Sequence, residues 1–224
     1  MKPLLKVMLI LGAIFATTFV LGRVFGILTV ANVRLWLEWA GAIDPWVLAS
    51  VVIGLLFIDL FVAVPTLTIT ILAGFFLGFG PGLAASLVGV TAAAFAGYTI
   101  SWFWGDRIIP HLVKDQLERE KLSASFHAHG PLMILLARAA PILPEVTSCM
   151  AGATKMNIWR FSIFLAIGTI PYVAIATYAG SISDLENPKP AIFAALLLYA
   201  VMWTGWYIAR KRLKSDQLPA ARSL

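Results

Sequence analysis

The chain reads as an all-α, polytopic membrane protein with about four full spans and two oppositely inserted re-entrant hairpins arranged as an inverted repeat. Three observations predict this fold. Of its 224 residues 60% are hydrophobic and 12% charged, with a mean hydropathy of +0.89, whereas soluble domains carry about 25% charged residues. Two long apolar runs, 46–80 and 131–153, are each broken by proline, Pro65 in the first and Pro141 and Pro144 in the second. Finally, the lysines and arginines sort to one side of a membrane only if each broken run enters and leaves from the same face.

The N-terminal segment 1–45 supplies a membrane helix and an interfacial stretch. Residues 7–22 make a short first span, extended if Arg23 snorkels to the interface. Lys2 and Lys6 ahead of that run also fit the outline of a signal peptide, but no small-residue cleavage site precedes Arg23, so a retained helix is expected. Residues 32–44, with Arg34, Trp36, Glu38 and Trp39, are too polar to cross lipid and read as interfacial.

The core is expected over 46–181. Its first run is apolar apart from Asp59, stops at Pro65 and resumes over 66–82. Proline lacks the donor that a helix needs, so the chain reverses most easily there. Gly74, Gly78 and Gly82 share one face if this stretch is one helix, and would let another backbone approach. The same stretch, GFFLGFGPG, lacks the lysine and Ser/Thr of a phosphate-cradling P-loop. Residues 83–104 form the clearest span, with Ala93 and Gly97 as a small packing face and Trp102 and Trp104 in an interfacial belt. Residues 111–129 are mixed in charge and read as a surface connector. His127 and His129, two apart, do not share a helical face, so no metal site is expected there. After the second broken run and the basic Lys155 and Arg160, residues 161–180 form a span holding Gly168 and Pro171.

The last segment, 182–224, contains a polar loop with Asp184, Glu186, Pro188 and Pro190, a final span over 191–209, and a basic tail from Arg210 to Lys214. With the N-terminus inside, Arg107, Lys114, Arg119, Lys121, Lys155 and Arg160 fall inside together with that tail. Arg23, Arg34 and Lys189 fall outside. An offset of 79 residues lays Pro65 on Pro144, Thr68 on Thr147 and Gly89 on Gly168. Paired interrupted segments in corresponding halves point to a binding site near the membrane midplane.

Composition also bounds function. The net charge of +6 lies beside apolar runs, which serves orientation and argues against a nucleic-acid partner. The single cysteine, Cys149, has no internal disulfide partner and reads as a buried thiol. No nucleophile–base pair, HExxH motif or metal cluster stands out, so neither an enzyme nor a cofactor is expected. Arg138 and Glu145, at hydrocarbon depth in the stretch LLARAAPILPEVTSCMAG, read instead as a site.

The run AGFFLGFGPGLAASLVGVTAAAFAGYTISWFWGDR, followed by ARAAPILPEVTSCMAGATKMNIWRFSIFLAIGTIPYVAIATYAG, resembles the DedA superfamily, also called the VTT or SNARE-associated domain, in its bacterial TVP-like branch. The resemblance implies two opposed re-entrant hairpins and movement of lipids between leaflets: undecaprenyl phosphate in bacterial members, phospholipid in eukaryotic relatives, with a proton-motive-force link in some. On it, Arg138 and Pro141 match the arginine and proline of the second hairpin, Gly152 its following glycine, and Asp59 an acidic residue of the first. Many members carry a second arginine where this chain has Pro144, followed by Glu145. A two-arginine phosphate clamp is therefore not expected, and proton coupling or an Arg138–Glu145 ion pair takes its place.

The expected site thus comprises Arg138, Pro141, Pro144 and Gly152 for substrate, and Asp59 and Glu145 for protons. Expected partners are membrane lipids, either a polyprenyl phosphate or a phospholipid, together with protons; a homo-oligomer stays open. Two alternatives also remain open. One is a proton-coupled carrier of a small ion or solute. In the other, Arg138 pairs with Glu145 or Asp59 only to hold the hairpins together. The expected location is a bacterial inner membrane, crossed several times, with both termini cytoplasmic.

Overall fold

The computed structural model describes residues 39, 43–62, 64–112, 115–139, 143–183, 189–190, 192–198, 200 and 204. The expected first span, most of the interfacial segment, Pro141, the 184–188 loop and the basic tail lie outside the described residues.

The described elements are helical: α1 (Pro45–Ile58), α2 (Thr66–Leu77), α3 (Phe79–Leu112), α4 (Gln116–Leu136), a 3-10 turn (Ala137–Ala139), α5 (Leu143–Ala153) and α6 (Ile158–Ser181). Polar caps start three of them. Asp44 accepts from the Trp46 amide at 2.9 Å, Asp115 from Leu117 at 3.0 Å, and Asn157 from Trp159 at 2.9 Å. Each satisfies an amide that the first helical turn leaves unpaired. Phe79–Gly105 within α3 and all of α6 are apolar over 27 and 24 residues. At 1.5 Å per residue these reach about 40 and 36 Å, enough to cross a hydrocarbon layer of about 30 Å. α1, α2 and the Phe126–Leu136 part of α4 are shorter apolar helices.

Close contacts fix the helix directions. Gly89 of α3 meets Ile53 and Leu56, and Gly97 meets Leu60, so α1 runs parallel to α3. Gly82, near the start of α3, meets Ala73 and Gly74 late in α2, so α2 runs back. Gly97 also meets Ser148 and Cys149, and Gly105 meets Ala153, so α5 runs from the middle of α3 towards its far end. α4 arrives from that far end: Phe126 shares a core with Tyr98, Met156 and Phe161, and Leu135 meets Gly168 partway along α6. Two helix–break–helix hairpins therefore approach the middle of α3 from opposite ends.

The offset of 79 seen in the sequence reappears as paired contacts. Gly89 packs on Leu56, and their counterparts at the same offset, Gly168 and Leu135, pack on each other. Lipid tails supply no hydrophobic drive between helices, so close backbone approach carries much of this packing. A methyl on Gly180 would strike the Ile71 carbonyl, one on Gly74 the Thr177 carbonyl, and one on Gly152 the Tyr98 carbonyl.

Three boundaries differ from the sequence reading. Gly78 has φ 78° and separates α2 from α3, so Gly74, Gly78 and Gly82 do not share one helical face. That left-handed backbone is open to glycine without a Cβ penalty, and it turns the chain there. The span expected over 83–104 is the middle of a 34-residue helix. The second hairpin's apolar arm begins at Phe126 and runs straight on from the polar connector, with Pro131 inside the helix and not at its start.

Candidate functional site

The hairpin tips meet beside α3, and each tip carries charge because each break does. In the first, Asp59 caps the end of α1, its amide bonded to the Leu55 carbonyl at 3.2 Å. Pro65 offers no donor and pushes the residue before it out of helical backbone, which opens the gap before α2. Asp59 spans that gap. Its Oδ1 accepts from the Val64 amide at 2.7 Å and its Oδ2 from the Thr66 hydroxyl. The carboxylate thereby sits at the positive end of α2, where helix dipole and free amides favour it.

In the second tip, Arg138 occupies the 3-10 turn between α4 and α5. Its Nη2 donates to Thr169 Oγ1 at 3.2 Å, and its guanidinium carbon lies 5.6 Å from the centre of the Tyr172 ring, both on α6. Cation–π attraction supports the second contact. α5 then begins with Leu143 and Pro144, and a proline early in a helix forfeits no internal bond. The Thr147 and Ser148 hydroxyls donate to the Pro144 carbonyl at 3.1 and 2.7 Å, and Glu145 lies in the same first turn.

Asp59, Arg138, Pro144, Glu145 and Ser148 line one cavity, closed by Leu56, Leu60, Val90, Ala93 and Ala94. Asp59 is 6% exposed and Arg138 9%. The space available there, 10 Å³, holds about one water molecule. Both carboxylates feel the guanidinium electrostatically, yet among the described residues neither is directly ion-paired to it. One polar face and one apolar wall meet in a cleft with room for about one water molecule.

Of the residues expected from sequence, the structure brings together Asp59, Arg138, Pro144 and Glu145. Gly152 is elsewhere, packed on the α3 backbone at Tyr98. Pro141 lies outside the described residues. Sequence reasoning passed over Thr66, Ser148, Thr169 and Tyr172. One signal was available: the offset of 79 that relates the prolines also relates Asp59 to Arg138 and Thr66 to Glu145. Cys149 is partly buried beside Gly97, as a packed thiol would be. Among the described residues no cluster of His, Cys, Asp and Glu could hold a metal.

Long apolar helices, close-packed glycines and a charged cluster at facing helix breaks define a helical membrane protein. A family model for the VTT domain matches residues 64–182, and the chain belongs to that family, the DedA/VTT proteins. The "Uncharacterized membrane protein YkoX" of Bacillus subtilis (strain 168) is 29% identical over 157 residues, covering 62% of this chain and 68% of that one. "Protein DedA" of Escherichia coli (strain K12) is 29% identical over 101 residues, 44% of each chain, so the match spans less than half of that relative. No solved structure matches the chain.

Proposed function

We propose that this protein moves a phosphate-bearing lipid, a polyprenyl phosphate or a phospholipid, between the leaflets of a bacterial inner membrane, without catalysis and with protons as coupled partners. In this reading the two hairpins are re-entrant: α1–α2 dips in from one face and the apolar part of α4 with α5 from the other, so that their tips meet near the midplane. α3 and α6 are two of about four full spans.

The observation that carries the reading is the two-sided cavity. Arg138, always charged and able to fork onto phosphate oxygens, faces a wall of Leu56, Leu60, Val90, Ala93 and Ala94. A lipid presents the same division between an anionic head and an apolar chain. The closed state has room for a water and not for a phosphate, so transport requires the tips to part. Opening first to one leaflet and then to the other is the motion that opposed hairpins permit.

The test is leaflet exchange in proteoliposomes, with a fluorescent phospholipid and a short-chain polyprenyl phosphate run in parallel. Exchange of either lipid, lost in folded Arg138→Ala protein, supports the reading. The small volume of the closed cavity favours a second reading, a proton-coupled carrier of a small ion. That reading gains if folded protein exchanges neither lipid yet carries a pH-driven ion flux.

A further inference from the structure

We propose that Thr169 and Tyr172 of α6 are positioning residues that hold Arg138 off Glu145, and that Arg138 gates the cavity by passing between these two sets of partners. The proposal rests on the lipid-phosphate reading of the site and deepens it.

The argument comes from comparing the two tips position by position. Asp59 and Arg138 correspond at the offset of 79, as do Thr66 and Glu145. In the first hairpin the charged residue turns onto its own second helix, where Asp59 accepts from Val64 and Thr66. In the second it turns away from its own second helix and onto α6, where Arg138 meets Thr169 and Tyr172. Two related units with related residues are thus caught with opposite bonding. If Arg138 made the bond that Asp59 makes, its partner would be the counterpart of Thr66, which is Glu145.

The alternative bond is chemically sound. A guanidinium and a carboxylate form a short, charge-assisted, two-pronged pair, stronger than the bond to a threonine hydroxyl. Arg138 therefore needs a reason to stay on α6, and the hydroxyl and ring there supply it together. Thr169 and Tyr172 are three apart and share a helical face. Pro171 lies between them, inside α6, and leaves the Ile167 carbonyl without its helical donor, which lets α6 flex at the cradle.

The exchange runs in one hairpin only. The α3 counterparts of Thr169 and Tyr172 are Val90 and Ala93, which line the cavity and offer Asp59 no hydrogen bond. The first hairpin is accordingly the fixed side and the second the moving one. On α6, Arg138 keeps its charge available to an anionic head once the tips part. On Glu145 it is neutralised and cannot take that head. The titratable groups facing Glu145 are Asp59 and Arg138 at the tips and Cys149 on α5; the α3 wall adds only Val90, Ala93 and Ala94.

A double-mutant cycle on lipid-phosphate exchange tests this with no pH gradient applied. Thr169→Val keeps the shape and removes the acceptor; it should slow exchange by roughly tenfold, the size expected for a hydrogen bond to a charged group. Thr169→Ser restores the hydroxyl and should restore the rate. In a Glu145→Gln background, where the carboxylate that Arg138 would fall onto is gone and Asp59 stays bonded to Val64 and Thr66, Thr169→Val should have little further effect. The pH profile of Thr169→Val should also shift to lower pH, because protonating Glu145 frees Arg138, a change that a general packing defect would not produce. Equal losses from Thr169→Val in both backgrounds, or a Thr169→Val rate equal to wild type, overturn the gate. Should Thr169→Val not fold, Thr169→Ala carries the same comparison. If wild-type protein exchanges no phosphate lipid, the functional reading falls and the gate falls with it. If wild type exchanges and the cycle shows no coupling, the gate alone falls.

Discussion

Asp59 and Arg138 hold the same station in two hairpins that point at each other, and they carry opposite charges. Each stands at the end of its hairpin's first helix, just ahead of a proline-marked restart: Pro65 before α2 and Pro144 at the head of α5. Single buried charges in a membrane protein are costly. Opposite charges at related positions meet when the tips meet, so the hairpins offset each other's burial without a fixed ion pair.

Asp59 has a structural duty beside any role in coupling, since it closes the gap at Pro65. Asp59→Ala should remove both bonds and leave the Val64 amide without its acceptor, at about 1–3 kcal/mol. Asp59→Asn keeps one carbonyl acceptor and should lose less than half as much. Thermal unfolding in detergent orders the three proteins. An Asp59→Ala protein as stable as wild type would contradict the bonding described for the first tip.

How much of this was legible in the sequence depends on what kind of signal each residue leaves. Pro65 and Pro144 mark the two breaks, and Gly89 and Gly168 repeat at their offset because two close backbone contacts need the same residue. The same offset relates Asp59 to Arg138, but a search for identity passes over a pair whose chemistry is opposite. Gly78 looked like a third member of a helical glycine face because spacing does not reveal a positive φ. The second broken run reads as beginning at Pro131, yet α4 carries that proline internally. Thr169 and Tyr172 lie in a stretch that reads as an ordinary span, and only the fold brings them to Arg138, 31 and 34 residues away.

Four glycines make opposite predictions in pairs. Gly152 and Gly180 lie against the backbone of neighbouring helices, so an added methyl collides with a carbonyl. Gly152→Ala and Gly180→Ala should each cost about 2 kcal/mol or more, in the range for overpacked sites. Gly54 and Gly80 meet nothing within 4 Å, and alanine there should be neutral or stabilise by up to about 1 kcal/mol through helix propensity. Melting temperatures of the four variants decide it, and similar losses in all four would mean that the helices do not pack as described.

Lys155 is the described non-glycine residue with positive φ, 56°, where α5 ends. The Met156 amide bonds back to the Ala151 carbonyl at 2.9 Å and the Lys155 amide to Gly152 at 3.0 Å, a pattern that favours glycine at this position. The side chain offsets the strain: its Nζ donates to the Trp102 carbonyl and lies 5.1 Å from the centre of the Trp102 ring. Lys155→Ala keeps the strain and drops both contacts, whereas Lys155→Gly drops both contacts and the strain. The glycine variant should therefore be more stable than the alanine variant by about 1 kcal/mol. The reverse order would rule out the left-handed turn.

For the proposed lipid exchange, charge balance makes a definite prediction of pH dependence. The site gathers one guanidinium and two carboxyl groups around a space of about one water molecule, with Asp59 and Arg138 buried. An anionic head that enters adds one negative charge, and the site keeps its former charge only if one proton enters with it. Glu145 is the better acceptor, because the Asp59 oxygens are already bonded to Val64 and Thr66. Exchange of a phosphate lipid should thus rise as pH falls, by up to about tenfold per unit for one coupled proton. Glu145→Gln, fixed in the neutral form, should retain exchange and flatten that profile. The measurement is the initial rate across a pH series with both sides of the vesicle matched. A wild-type rate independent of pH, or a Glu145→Gln profile as steep as wild type, would remove Glu145 as the proton carrier and shift that role to Asp59.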